Sequence, residues 1–226
     1  MKKIKLILLL LLPVTIYAQQ MTYDQWEKEA QTNKRLLPKY GNLPKSKGEL
    51  KADKEFLATA IELDTTAEKA SAHMIDLGFQ YLYRDMKTAM YRFNQAYLLD
   101  STNSDIYWGF GAIYFMLNRL DLAREQYEQG LKVDPSNTRI LTDLGTTYMS
   151  EYFANQNSGS LDKAISILSK SYTKDPTNQN TSYKLSTCFL MKNDCENALK
   201  LYEACMSLGG APVTDEFKKE IENRCN

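Results

Sequence analysis

The stretch LDLAREQYEQGLKVDP, residues 120–135, has the apolar pattern of a helix, yet Ala123 and Gly130 lie seven residues apart on one face. Glycine in a helix interior costs about 1 kcal/mol relative to alanine, so helix propensity does not explain Gly130. A second helix packed against this face does explain it, because a missing side chain lets two backbones approach closely. The stretch therefore predicts a helix in tight contact with another element.

The same pattern recurs along the chain. LDKAISILSKSYTKDP at 161–176 repeats it almost position for position, and weaker copies are MKTAMYRFNQAYLLDS at 86–101 and CENALKLYEACMSLGG at 195–210. Successive copies start 34, 41 and 34 residues apart. A period in this range indicates a repeat array, in which each unit buries its apolar face only against its neighbours. The small residues expected at helix contacts are Ala89, Ala96, Ala123, Gly130, Ala164, Ser171, Ala198 and Cys205.

A second helical pattern precedes each copy. Its residues recur at spacings of 0, 3, 4 and 7, which is the spacing of one helix face. In the second unit these residues are Tyr107, Phe110, Gly111 and Tyr114. The other units have Met74, Leu77, Gly78 and Tyr81, then Leu141, Leu144, Gly145 and Tyr148, then Ser182, Leu185, Ser186 and Phe189. Each unit is therefore a helix, a turn and a second helix.

This arrangement resembles the tetratricopeptide repeat family in its exported bacterial form. The resemblance covers residues 71–210, and it implies an all-α fold, an α-solenoid of stacked antiparallel helix pairs with a C-terminal capping helix. The four expected units are 71–103, 104–137, 138–178 and 179–210. The third unit holds an insertion, ANQNSGS at 154–160, which is rich in turn formers and is expected to be a surface loop.

The regions on either side of the array have weaker signals. Residues 19–70 are expected to form a helical segment with a degenerate first repeat, in which a helix at 51–64 pairs with a helix at 22–37. At the other end, residues 211–226 can form an amphipathic capping helix with Phe217 and Ile221 inward. Solenoids need such a cap, because the last unit otherwise exposes its stacking face.

The N-terminus has the pattern of a signal peptide over residues 1–18. A basic start, MKKIK, precedes the apolar run LILLLLLPVTI, and a cut after Ala18 would leave Gln19 first. No cysteine follows the run, so a lipid anchor is not expected, and Pro13 disfavours the alternative of an uncleaved anchor helix. We expect an exported protein, periplasmic or secreted, with no membrane span after cleavage.

Composition and motifs exclude several classes of function. The chain of 226 residues is 43% hydrophobic and 25% charged, as in folded proteins. Loss of Lys2, Lys3 and Lys5 would leave 25 basic and 28 acidic residues, and this slight acidity argues against a nucleic-acid partner. His73 is the only histidine, and no nucleophile motif or glycine-rich phosphate loop is present. No catalytic residues, cofactor or metal are expected.

The family resemblance implies that the first helix of each unit lines a concave groove. The groove positions are rich in aromatic residues and methionine, which are enriched in interface cores. We expect a protein or peptide partner that places an apolar segment there. The expected groove residues are Phe79, Tyr83, Trp108, Phe115, Met116, Arg139, Tyr183 and Thr187. Two alternatives stay open: a second copy covers this face in a homo-oligomer, or these residues simply pack against neighbouring helices.

Four cysteines lie near the C-terminus and allow three pairings. If the fourth unit ascends one helix and descends the next, Cys195 lies at the turn between them, level with Cys225 at the end of a capping helix. Cys188 and Cys205 are farther apart along their helices, at 1.5 Å of rise per residue. The geometry favours a Cys195–Cys225 disulfide, and four reduced thiols remain the alternative.

Overall fold

A computed structural model describes residues 21–225, and the signal peptide predicted at residues 1–18 lies outside this range. The described residues form helices and no strand. The helices are α1 (Tyr23–Ala30), α2 (Lys47–Asp64), α3 (Ala67–Tyr81), α4 (Met86–Leu99), α5 (Asp105–Met116), α6 (Leu120–Val133), α7 (Thr138–Asn155), α8 (Ser158–Lys174), α9 (Gln179–Met191), α10 (Cys195–Ser207) and α11 (Asp215–Cys225). Within residues 21–225, no helix has both the length and the apolar character that a membrane span requires.

Four helix pairs make up the body of the protein. Helices α3 and α4, α5 and α6, α7 and α8, and α9 and α10 pack within pairs, and each pair packs on the next. The last three pairs lie within the units expected at 104–137, 138–178 and 179–210, whereas α3 begins at Ala67, four residues before the first unit expected at 71–103. The predicted all-α solenoid of stacked helix pairs is confirmed.

Gly130 lies where two units meet. A Cβ added there would lie 2.5 Å from Ile140 Cδ1 of the next unit and 3.0 Å from Tyr107 Cβ. The equivalent residues Ala96, Ser171 and Cys205 are fully buried. A larger side chain at these positions would push neighbouring units apart. Close packing therefore accounts for a glycine at position 130 despite its low helix propensity.

Glycines on the first helix of a pair make room for a large side chain on the second. The Phe93 ring of α4 lies against Gly78 of α3 and Gly109 of α5, where added Cβ atoms would come within 2.4 Å of it. The Tyr127 ring of α6 lies against Gly111 in the same way. These contacts place α3 and α5, the two helices that frame the candidate site, close together.

The insertion in the third unit differs from its prediction. Residues 154–160 do not form a long surface loop, because α7 continues to Asn155 and α8 begins at Ser158. Gln156 turns the chain with a left-handed backbone, and the Asn157 side chain caps α8 by accepting from the Gly159 N–H. The turn-forming residues do include a turn, but only Gln156 and Asn157 form it, and the remaining residues of the insertion extend α7 and α8.

The N-terminal segment also differs from its prediction. Helix α1 ends at Ala30, and residues 22–64 do not form the antiparallel pair expected of a first repeat. Helix α2 packs on α3, whereas residues 31–46, which we call the strap, lie along α4. The fully buried Asn94 of α4 holds the strap, since its Nδ2 donates to the carbonyls of Arg35 and Leu37.

A left-handed turn lies within the strap. Lys39, Tyr40, Gly41 and Asn42 all have φ between 54° and 65°. Each non-glycine residue in this conformation costs roughly 1–2 kcal/mol. The backbone N–H of Tyr40 donates to Asn94 Oδ1, and the Lys45 ammonium lies 3.8 Å from the centre of the Tyr40 ring. These contacts compensate for the strain and fix the strap on α4.

Helix α11 covers the last pair. Phe217 and Ile221 are its buried residues, as expected, and most of its other side chains are exposed. A disulfide joins Cys195, the first residue of α10, to Cys225, with a Cα–Cα distance of 5.3 Å. Cys188 and Cys205 are free and buried.

Candidate binding cleft on the concave face

An apolar cleft of about 330 Å³ opens on the side of the solenoid formed by the first helices of the pairs. The first helices of three successive pairs contribute to it, with a single residue from α9. Five of the eight expected groove residues line it, and these are Phe79, Tyr83, Trp108, Phe115 and Met116. The repeat phase thus brings together side chains that are up to 37 residues apart in the sequence. The cleft has the size and apolar lining of small-ligand and peptide-anchor sites.

Stacked aromatic rings form one wall of the cleft. The Phe79 and Trp108 ring centres are 4.0 Å apart, and Phe79 also packs against the buried Phe93 at 5.2 Å. Trp108 Nε1 donates to Asp143 Oδ2 over 2.7 Å. Trp108 is therefore held in place, half-buried, before any partner binds. A preorganised wall loses little side-chain entropy when a ligand arrives.

The polar end of the cleft lies on α7 and α9. Lys184 Nζ is 3.5 Å from Asp143 Oδ1, so the Asp143 carboxylate joins α5, α7 and α9. Tyr127 reaches the floor from α6, and burial raises its pKa well above 10, with Asp143 adding to the effect. The phenol therefore stays neutral. The cleft has one charged pair at the edge of an otherwise apolar surface.

Tyr83 is the most exposed cleft residue. It lies in the turn between α3 and α4 and exposes 80% of its surface. Phe115 and Met116, at the end of α5, are half-buried on the same side. The mouth of the cleft is thus lined by adaptable apolar side chains.

Three of the expected groove residues lie outside the cleft. The Arg139 guanidinium pairs with Asp105 and lies 5.3 Å from the centre of the Trp108 ring, where it supports the wall from outside. The Tyr183 ring packs edge-to-face on Phe217 of α11, 5.0 Å between centres, so the capping helix covers it. Thr187 donates to the Tyr183 carbonyl within its own helix. The groove expected along all four units is open only at the first three pairs.

The sequence analysis missed Asp143 and Lys184. They occupy the same position of consecutive units, 41 residues apart, which is the offset between those units. Lys184 follows directly after the expected groove residue Tyr183, and Asp143 has the same place in the preceding unit. Charged residues at the same position of two neighbouring repeats were the sequence signal from which the polar end of the cleft could have been predicted.

Among residues 21–225, no group of three or more histidine, cysteine, aspartate or glutamate side chains is arranged to hold a metal ion. His73 lies on α3 away from the cleft, where its Nδ1 is 3.0 Å from Asp64 Oδ2. The acidic residue of the cleft, Asp143, is engaged by Trp108 and Lys184.

Comparison with known proteins relates the sequence to repeat proteins. A family profile described as Tetratricopeptide repeat matches residues 104–137. The chain is 26% identical over 119 residues to the RNA polymerase-associated protein CTR9 of Caenorhabditis elegans, and 30% identical over 105 residues to the BBSome complex member BBS4 of Bos taurus. These matches cover 52% and 46% of this chain but only 10% and 19% of the two relatives.

Comparison with solved structures concerns the fold. A thermophilic TPR protein of Thermus thermophilus is similar with a TM-score of 0.56 at 14% identity, over 68% of this chain and 80% of that one. PilF of Pseudomonas aeruginosa is similar with a TM-score of 0.59 at 19% identity, over 70% of this chain and 68% of that one. The described chain therefore has the fold of tetratricopeptide-repeat proteins, and residues 104–137 are a tetratricopeptide repeat.

Proposed function

We propose that this protein is a non-enzymatic scaffold that binds a protein or peptide partner through an apolar anchor in the concave cleft. The observation that carries the proposal is the preformed aromatic wall of Phe79 and Trp108 beside the exposed Tyr83. Interfaces gain most of their energy from a few aromatic anchors in well-packed pockets. An apolar side chain of the partner enters beside this wall, and Lys184 and Asp143 pair with polar groups at its edge.

The known proteins support this class of function. Two relatives are named as members of larger assemblies, an RNA polymerase-associated protein and a BBSome complex member. Those names describe proteins much longer than the matched region, so what carries over is the general role of the repeat in protein contacts.

The test uses peptide display on the purified protein, followed by titration of selected peptides. Of the two tryptophans, Trp26 is buried and Trp108 lines the cleft, so tryptophan emission reports on the cleft. We expect peptides with an apolar anchor to shift this emission. The Tyr83→Ala variant should bind them at least about tenfold more weakly, the effect of a lost aromatic contact.

Phe153→Ala is the matched control. Phe153 is also an exposed aromatic residue, at 51%, but lies near the C-terminal end of α7 and outside the cleft. It should bind as wild type does. Peptides that bind Tyr83→Ala and wild type equally well, with no change in emission, would place binding elsewhere and overturn the proposal.

We also propose that the protein acts outside the cytoplasm, after removal of residues 1–18. The leader pattern supports export, and the disulfide between Cys195 and Cys225 suits an oxidising compartment. Intact mass of the protein from fractionated cells tests this directly. A chain that begins at Gln19 in the exported fraction is expected, and a full-length chain in the cytoplasm would contradict it.

A further inference from the structure

We propose that the cleft selects a tyrosine side chain of the partner, because the floor of the cleft holds a buried hydroxyl group, that of Tyr127, without a hydrogen-bonding partner. The inference rests on the proposed function, since it names the anchor that enters the cleft. Tyr127 exposes 1% of its surface and lines the cleft from α6. Within residues 21–225 its hydroxyl makes no hydrogen bond. An unpaired buried hydroxyl is costly, so it indicates a ligand that pairs with it.

The hydroxyl of Tyr127 lies on the cleft side of its ring. The ring packs against Gly111 of α5. Burial is the main cause of the raised pKa of Tyr127, and Asp143 and then Tyr83 add to the effect. Both of these residues line the cleft, so the end of the ring that they act on faces it. The neutral hydroxyl is therefore presented to the cleft as a hydrogen-bond donor.

Packing alone does not require this hydroxyl. The same position of the repeat is Phe93 in the preceding unit and Leu168 in the next, 34 and 41 residues away. All three side chains fill the space beside a glycine on the first helix of their pair. Phe93 and Leu168 are fully buried and have no polar side-chain atom. An apolar side chain therefore serves the packing, and the hydroxyl of Tyr127 is available for recognition.

A hydrogen-bond acceptor, the Asp143 carboxylate, lies near the Tyr127 hydroxyl. This carboxylate accepts from Trp108 Nε1 over 2.7 Å and lies 3.5 Å from Lys184 Nζ. A carboxylate can accept about four hydrogen bonds, so Asp143 retains capacity for a ligand. The end of a matching anchor accepts from Tyr127 and donates to Asp143. A hydroxyl group does both.

Tyrosine is the side chain that combines this hydroxyl with a ring for the aromatic wall. Its ring stacks on Phe79 and Trp108, since aromatic rings favour offset-stacked and edge-to-face contacts. Phenylalanine would fit the wall but would shield the Tyr127 hydroxyl from water without giving it a partner. An anchor that ends in a carboxylate would be repelled by the negative charge of Asp143.

Side-chain analogues test the selection directly, with p-cresol in place of tyrosine and toluene in place of phenylalanine. The two tryptophan indole N–H signals in ¹⁵N NMR spectra report on binding, because Trp108 lines the cleft and Trp26 is buried outside it. We expect p-cresol to shift the Trp108 signal and to bind wild type about tenfold more tightly than toluene does, the effect of a net hydrogen bond. The Trp26 signal should stay unchanged.

Tyr127→Phe removes the hydroxyl on which the selection depends. This variant should fold, since Phe93 occupies the equivalent position of the preceding unit, and it should prefer toluene, because the phenol then loses its donor. Tyr114→Phe is the matched control, since Tyr114 is also buried but does not line the cleft. It should prefer p-cresol as wild type does.

The same exchange in a peptide connects the selection to a partner. Peptides selected by display on wild type should carry a tyrosine anchor. Its replacement by phenylalanine should weaken binding to wild type about tenfold but leave binding to Tyr127→Phe unchanged or stronger.

Three results would overturn this inference alone. They are equal binding of p-cresol and toluene to wild type, an unchanged preference in Tyr127→Phe, and selected peptides whose anchor is not tyrosine. If neither the analogues nor any selected peptide shifted the Trp108 signal, the proposed function would fail together with the inference.

Discussion

The two ends of the solenoid are closed in different ways. Helix α11 covers the C-terminal end with two buried residues, presents charges outward and is tied down by a disulfide. The N-terminal end has a longer helix, α2, which buries only Ala60 fully and exposes Leu50 and Ile61. Solenoids need polar caps to remain separate. The difference shows that a capping helix shields the apolar face at the C-terminal end, whereas the N-terminal helix leaves apolar side chains exposed.

The closed end depends on its covalent bond. An isolated helix of 11 residues is marginal in water, and α11 gains the packing of Phe217 and Ile221 and the hydrogen bonds that Arg224 donates to the end of α9 and the turn after it. Its linker from α10 contains Gly209 and Gly210, both with positive φ, and Gln179 of α9 holds the linker by donating to the Leu208 carbonyl and accepting from the Ala211 N–H. The Cys195–Cys225 bond restricts how far α11 can move away.

The largest expected effect is at this closed end. Cys225→Ser should lower the free energy of unfolding of the C-terminal region by about 3–4 kcal/mol, since the bond closes a loop of 30 residues. Hydrogen exchange should then show loss of protection in α11, and Tyr183 should become exposed. The variant itself provides the control, because dithiothreitol should destabilise wild type and leave Cys225→Ser unchanged. Unaltered protection of α11 after reduction would contradict the role given to the bond.

The open end should respond to loss of Asn94. Asn94→Ala removes three hydrogen bonds to the strap and leaves buried backbone groups without partners, so we expect a loss of about 2–3 kcal/mol. Chemical denaturation measures the change, and proteolysis within residues 31–46 should become faster. Gln95→Ala, at the half-buried neighbouring position, is the comparison and should cost much less. A strap that stays protected without Asn94 would mean that α1 alone holds it.

Variants in the cleft, which lies between the two ends, should distinguish a side chain that stabilises the fold from one that contributes only to binding. Trp108→Ala should destabilise the fold by about 2 kcal/mol, because it removes the stack on Phe79 and the hydrogen bond to Asp143. Tyr83→Ala should change stability by less than about 0.5 kcal/mol, as expected of an exposed residue. Thermal melting measures both. Equal melting temperatures for the two variants would show that Trp108 contributes no more than an exposed side chain does.

The smallest expected effect concerns the aspartates that cap two helices, one toward each end of the solenoid. Asp85 caps α4 and Asp194 caps α10, and the hydrogen bonds from Thr88 and Asn197 lower the pKa of each carboxyl below its usual value. A lowered folded-state pKa gives stability that is present above the unfolded value, about 3.9, and is lost as pH falls through the folded value.

Melting between pH 5 and pH 2 tests these caps. Asp85→Asn and Asp194→Asn retain a capping side chain but remove its titration, so each should flatten the loss of stability in acid by a similar amount. Leu63→Asn, away from any cap, should lose stability in acid to the same extent as wild type. If only one of the two cap variants reduces the loss of stability in acid, the two helix N-caps are not equivalent.

Much of the cleft could be predicted because the family resemblance implies which helix face lines a groove and the repeat phase carries that face from unit to unit. Phe79, Trp108 and Phe115 lie where their spacing put them, since neighbouring units stack with the same geometry. Tyr183 has the same phase but lies under α11, a helix outside the repeat. The position of a residue within the repeat predicts which way its side chain points. Whether that side chain stays exposed depends on elements outside the repeat, such as α11.

The sequence alone determined the repeat period, the helix pairs and the small residues between them, because these depend on contacts within a unit or between neighbouring units. Only the tertiary structure decided the fate of the N-terminal segment. Its predicted partner was α2, the next helix in the chain. Its actual anchor is Asn94, 59 residues beyond Arg35, where buried hydrogen bonds outweigh the strain of the left-handed turn. Such a choice between two available surfaces depends on the total free energy of buried groups, which no local pattern contains.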